Sequence, residues 1–199
     1  MRRALRILRD EHAALAGLLC SITRILVDAR ASGSTPDFDV LRAMLFYIAE
    51  FPEKRHHRKE SDLLFPKLRA RTPLSRPLLD HLDEDHTRGE AQIRELEHAL
   101  TTYEMLGDAR RESFEMSARR YVDFYLAHMA LEEREILPLA EQVLTPEDWD
   151  ELDAAMALDP DPLTAVADPD FKALFSRIVF RAPASCGLAD PDLVQATFS

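Results

Sequence analysis

Apolar residues recur every three or four positions along four long stretches of the chain, the period of an amphipathic helix. The first, about 4–30, carries Leu5, Leu8, Leu15, Leu19, Ile22 and Leu26 on one stripe and stops at Gly33-Ser34, before Pro36. The second starts near Pro36-Asp37 and runs to about Arg71, with Leu41, Leu45 and Ile48 on its stripe. A bend is expected at Pro52, which has no N–H to give to a helical hydrogen bond. The segment "TPLSRP" at 72–77 separates it from a third helix, about 77–106, which carries Leu79, Leu82, Ile93 and Leu100 and ends at Gly107-Asp108. The fourth, about 109–144, carries Tyr121, Phe124, Tyr125 and Ile136, with Pro138 bending its last turns. This pattern predicts an all-α fold, an up-down-up-down antiparallel four-helix bundle with additional short C-terminal helices.

Downstream, "TPEDWDELDAAMA" opens with Thr145 as an N-cap, Pro146 at the first helical position and acids in the first turn, so a fifth helix is expected there. Trp149 is expected to anchor it to the bundle. From Asp159 the composition changes to "DPDPLTAVADPD", then the apolar "FKALFSRIVF", then a Pro/Gly/Ala-containing tail. The expected organisation is a bundle over 1–145 and a helical extension over 146–199. That extension would pack on the bundle, on a protein partner or on a second copy.

Composition narrows the function classes. In 199 residues, 46% are hydrophobic and 31% charged, as in a soluble globular chain. Set against 36 acidic residues, 25 basic ones leave a net charge of -11, which argues against nucleic acid or anionic lipid as a partner. Cys20 and Cys186 lie far apart, so no disulfide framework is expected. Cys20 reads as a small buried apolar residue, and Met105, Met116 and Met129 as core filler. At the N-terminus Asp10, Glu11 and His12 interrupt the apolar pattern, which predicts neither a signal peptide nor a membrane span and makes a cytoplasmic setting the expectation.

The candidate chemistry lies on the stripes themselves. Each helix brings one histidine onto its apolar face: His12, His56, His86 and His128. Two of them are followed four residues later by a glutamate, Glu60 and Glu132, and residues four apart share a helix face. A lone histidine on such a stripe is ordinarily a hydrogen-bonded core residue, whereas glutamate is almost never fully buried unless paired. Burying two carboxylates without compensation costs several kcal/mol each. A pair of divalent cations would neutralise both acids and accept all four imidazoles. Mixed imidazole and carboxylate ligands suit iron and, less selectively, zinc or manganese. His57, in the company of Glu53, Lys54 and Ser61, is expected to face outward or sideways. His81 is off the apolar phase and reads as a surface residue.

These residues resemble the hemerythrin-like (HHE) cation-binding domain. The carriers are "DEH" at 10–12, "HHRKESDLLFP" at 56–66, "DEDH" at 83–86 and "HMALEEREILP" at 128–138. The resemblance covers about 4–145, and the remainder looks like an extension of some bacterial members. It implies a four-helix bundle around two non-haem iron ions with a solvent-derived oxygen bridge. His12 and His56 would then serve one ion, His86 and His128 the other, and Glu60 and Glu132 would bridge them. The chain departs from the oxygen-carrying hemerythrins, which place two histidines four apart on the third helix. Leu82 and Glu90 stand at that spacing from His86. That departure implies open coordination positions rather than reversible oxygen carriage. Glu90 is either an additional carboxylate ligand or a solvated residue. Tyr121 and Tyr125 are read as core packing ahead of donors to a bound ligand.

Three functional readings follow. The first is a redox-active di-iron protein that reacts with or senses dioxygen, peroxide or nitric oxide. The second is non-enzymatic: iron binding, iron delivery, or a metal-state sensor acting through a partner. In the third the metal is only structural. No residue is assigned a catalytic role.

Overall fold

A computed structural model describes residues 2–158 together with Ile178 and Cys186. Four long helical rods form the body. The first is α1 (Arg3–Ser32) and the second α2 (Phe38–Glu50), which continues through two π-helical stretches, Pro52–His56 and Lys59–Leu64, into α3 (Phe65–Arg71). The third is α4 (Arg76–Leu106); the fourth is α5 (Arg111–Leu131), which passes through a π-helical turn at Glu132–Ile136 into α6 (Leu137–Val143). Sequential rods are neighbours, and α1 closes the ring against α5. Among the described residues there is no strand. "FKALFSRIVF" lies outside the described residues except for Ile178, which is buried in the core.

Local chemistry sets the ends. Gly33 takes φ +66° and its N–H caps the last carbonyls of α1, a left-handed conformation that costs least without a Cβ. Asp37 accepts a hydrogen bond from the Val40 N–H at 3.2 Å and starts α2. The expected fifth helix is α7 (Pro146–Met156), opened by a reciprocal capping box between Thr145 and Asp148. Arg71 of α3 donates to Asp148 at 2.7 Å, and Trp149, Leu152 and Met156 pack beside Leu5 and Leu8 of α1.

All three π-helical stretches involve a proline. A proline ring clashes with the carbonyl four residues back, and widening the turn relieves that clash. Pro52 opens the first stretch, where the His56 N–H bonds Phe51 O at 3.0 Å, five residues back. Pro66 and Pro138 follow the other two, where the Phe65 and Leu137 N–H groups bond the carbonyls of Glu60 and Glu132.

The apolar interior is divided. One cluster joins Leu15–Leu26 of α1 with α2, the C-terminal part of α4 and most of α5. The other joins Ala4–Leu8 with Leu64–Leu68, Leu79, Leu82, Ile136–Leu144 and α7. Between them the rods contribute a polar layer, described below.

Several expectations are corrected. Met105 (78% exposed) and Met116 (55%) lie on the surface, and of the three methionines only Met129 is buried. Cys20 is exposed and forms a disulfide with Cys186, with Cα atoms 5.6 Å apart. By length and composition alone α1 could also cross a membrane, a test that the core helix of a soluble protein passes as well. Half of its most apolar window is buried against the other rods, so those residues also serve as bundle core.

Candidate metal centre

The polar layer is built of side chains that a dry core would reject. His12, His56, His57, Glu60, His86, His128 and Glu132 are all buried, as are Glu11, Glu53, Lys59 and Asp85. His12 Nε2 and His56 Nε2 face each other at 3.0 Å. Glu60 turns Oε1 toward that pair, 3.4 Å from His56, and Oε2 toward His86 Nε2 at 3.4 Å. Glu132 does the same from the opposite rod, with Oε2 3.3 Å from His12 and Oε1 3.4 Å from His128 Nε2. Each carboxylate therefore offers one oxygen to each pair of imidazoles. Every one of the six residues singled out from the sequence lies in this layer.

Two overlapping clusters can each hold a cation: His12, His56, Glu60 and Glu132, and Glu60, His86, His128 and Glu132. Within each, the donor atoms lie within 4.8 Å of one another. Glu60 Oε2, both Glu132 oxygens, His86 Nε2 and both His128 ring nitrogens are buried without a hydrogen-bond partner among the described residues. Leaving a buried polar atom unpaired costs about 1–3 kcal/mol. Inward-facing imidazole nitrogens and carboxylate oxygens without partners are the donor set a divalent cation requires, so the residues fit a two-metal site.

Outward-facing contacts fix most of the rings. His56 Nδ1 meets Glu11 Oε2 at 2.7 Å, and the Lys59 ammonium closes on the other Glu11 oxygen. His12 Nδ1 meets Glu133 at 3.0 Å, and His86 Nδ1 meets Ser61 Oγ at 2.9 Å. Asp85 lies 3.7 Å from His128 Nδ1. Carboxylate or hydroxyl partners on the outer nitrogen set the tautomer that leaves the inner nitrogen free to ligate.

Without a cation, the buried carboxylates favour protonated imidazoles. Burial lowers the pKa of His12, but hydrogen bonds to Glu132 and Glu133 outweigh it and raise the value to about 9. His86 is likewise pushed down by burial and lifted to about 9 by Glu132 and Glu60. His56 is depressed by burial yet held well above the usual imidazole range by Glu60 and Glu11. Burial raises Glu60, but His56 and His86 hold it well below the usual carboxylate range.

His57 departs from the expectation drawn from helix phase. It is 5% exposed, with Nε2 3.1 Å from the Tyr125 hydroxyl. Burial, reinforced by repulsion from His86 and His56, holds it neutral well below the usual range. Glu53, one turn earlier, accepts a hydrogen bond from Tyr121 at 2.8 Å, so the two tyrosines do more than pack. Gly89 makes room for this group, since a Cβ there would lie 2.9 Å from the Tyr125 hydroxyl oxygen. One signal could have found the pair: Glu53 and His57 are spaced four apart, a span that interleaves with the His56 and Glu60 spacing. Glu90 is half exposed and 3.7 Å from Arg94, so it is a solvated residue rather than a ligand. His81 is exposed, as expected.

Neither the curated proteins nor the solved structures include a match to this chain. The family model for the hemerythrin HHE cation binding domain matches residues 3–140, the span that builds both halves of the buried donor set. With that match over more than two thirds of its length, the chain belongs to the hemerythrin HHE cation-binding family.

Proposed function

We propose that this layer holds two iron ions and that the protein reacts with or senses a small ligand, dioxygen, peroxide or nitric oxide. The observation that carries the reading is the double-faced presentation of Glu60 and Glu132, each with one oxygen toward His12 and His56 and one toward His86 and His128. Iron, when bound, supplies redox chemistry and Lewis acidity toward such a ligand. The chain's own residues do the rest. Glu11, Glu133 and Ser61 orient the imidazoles, while the apolar clusters on either side exclude bulk water. Zinc or manganese fits the same donors, so iron is the specific part of the proposal.

Elemental analysis and the visible spectrum of protein purified from iron-replete cells test it. About two irons per chain are expected, as in a two-metal site. One zinc and no iron would overturn the reading.

A further inference from the structure

We infer that Cys20 and Cys186 form a reversible thiol–disulfide latch, which ties Cys186 and the nearby Ile178 to the bundle and lets them go on exchange with a small thiol. The inference stands apart from the metal reading above. These are the chain's two cysteines, 166 residues apart in sequence, and the fold brings their Cα atoms to 5.6 Å, within bonding range. Cys20 is exposed on the outer face of α1, where Thr23, Arg24 and Val27, three, four and seven residues on, are exposed as well. A thiolate in solution can therefore reach its sulfur, and exposed disulfides are the labile ones.

A fixed staple accounts for the pairing less well. Disulfide scaffolds use several bonds where the core is too small to hold the fold. Here two apolar clusters are assembled from residues between Ala4 and Met156, and Ile178 is the one described member from farther along. The bond acts on that member. Ile178 is fully buried in the cluster shared by α1, α2, α4 and α5, eight residues before Cys186. With Cys186 bonded to α1, an eight-residue tether keeps Ile178 at a high effective concentration beside the cluster. Once the bond opens, the shorter remaining link runs back twenty residues to Leu158. Effective concentration falls roughly as the -3/2 power of tether length, so Ile178 loses about 4-fold.

The exchange balances as two displacements. A thiolate attacks Cys20 Sγ, the S–S bond breaks and Cys186 leaves as thiolate; a second thiol then displaces Cys20 from the mixed disulfide. Two small thiols are oxidised to one disulfide while the protein's disulfide is reduced to two thiols, which take up the two protons. The reverse exchange with the small disulfide closes the latch again.

The full chain, equilibrated in glutathione buffers of graded thiol-to-disulfide ratio and quenched with a maleimide for intact mass, tests this. Both cysteines are expected to become modified together in the native protein, with helical circular dichroism unchanged, and to be protected again when glutathione disulfide is restored. A bond that stays closed in excess glutathione until the protein is denatured would overturn the latch, and so would loss of helical signal when it opens. Trypsin supplies a second reading, because Arg181 lies between the two pinned positions, 178 and 186. Cleavage after Arg181 should be at least ~4-fold faster in the reduced protein, the factor by which Ile178 is less confined. Cys20→Ser and Cys186→Ser should show the reduced rate in every buffer. Equal rates in the oxidised, reduced and variant proteins would show that the bond holds nothing and would overturn the inference.

Discussion

Because the layer stores protons where it would store cations, metal affinity should depend steeply on pH. His12 and His86 have values raised from 6.5 to about 9, so both are charged at neutral pH in the metal-free protein. A metal must expel both protons, since only neutral imidazole ligates. At pH 7 each proton weakens binding by about two pKa units, and the pair by about 5 kcal/mol or ~10⁴-fold. The apparent association constant should rise by about two log units per pH unit between 7 and 9 and level off above.

The metal-free fold should respond with the opposite sign. A histidine raised above its unfolded value contributes stability that is complete below 6.5 and lost as pH climbs through about 9. Each shift corresponds to about 3 kcal/mol, so the pair sets a loss on the order of 6 kcal/mol across that window. His57, held neutral, works the other way: its contribution is present above 6.5 and falls away in acid. The metal-free protein should therefore be most stable near pH 6.5 and the loaded protein at higher pH. Calorimetric titration with zinc in two buffers of different ionisation enthalpy counts the protons, and thermal scans of the metal-free chain give the stability. Release of less than one proton at pH 7, or a metal-free Tm that rises from 6.5 to 9, would refute the argument.

Three further outcomes are expected. Glu60→Ala or Glu132→Ala should abolish loading of both ions, because each carboxylate faces both halves of the layer, whereas His81→Ala and Glu90→Ala should leave metal content intact. Elemental analysis of the purified variants decides this. Gly89→Ala gains about 1 kcal/mol of helix propensity but drives a methyl into the Tyr125 hydroxyl and Glu53, where overpacking costs about 1–3 kcal/mol. Denaturant unfolding of the metal-free chain should show a net loss, and equal or greater stability would show that the pair yields freely. Thr145→Ala should cost about 1 kcal/mol by removing the cap of α7, with no change in metal content.

Most of the architecture is legible in the sequence because four apolar stripes and their terminators are local signals. Gly33, Asp37, Gly107 and Thr145 act within a few residues of themselves, and the structure uses each one as a helix end. The His-x-x-x-Glu pairs were legible for the same reason. Long-range features were not. Cys20 and Cys186 are separated by 166 residues, and nothing along the chain announces that they meet. Glu11 and Lys59 are hydrophilic neighbours of histidines, and only the convergence of α1 with the second rod turns them into a buried pair.

The misplacement of His57 has a more specific cause: it follows from carrying an α-helical phase through a segment that is not α-helical. Starting from Ile48, which is fully buried, four α-turns advance about 14 residues and reach Asp62. Asp62 is exposed, paired with Arg58 at 3.7 Å. The buried positions are Leu64 and Phe65, about two residues later. Two π-helical stretches lie between, at Pro52–His56 and Lys59–Leu64, and each inserts about one extra residue into the helix. The stripe therefore resumes in register with the second apolar cluster only after slipping twice. Within the slip, adjacent residues that a regular helix would splay toward core and solvent are both turned inward. His56 and His57 occupy that interval, and the interval lies at the level where the two apolar clusters part. The local departure from α-helical geometry that hid His57 from the sequence pattern is thus the same one that lets a single rod turn two adjacent imidazoles inward, His56 toward His12 and His57 onto the face of His86.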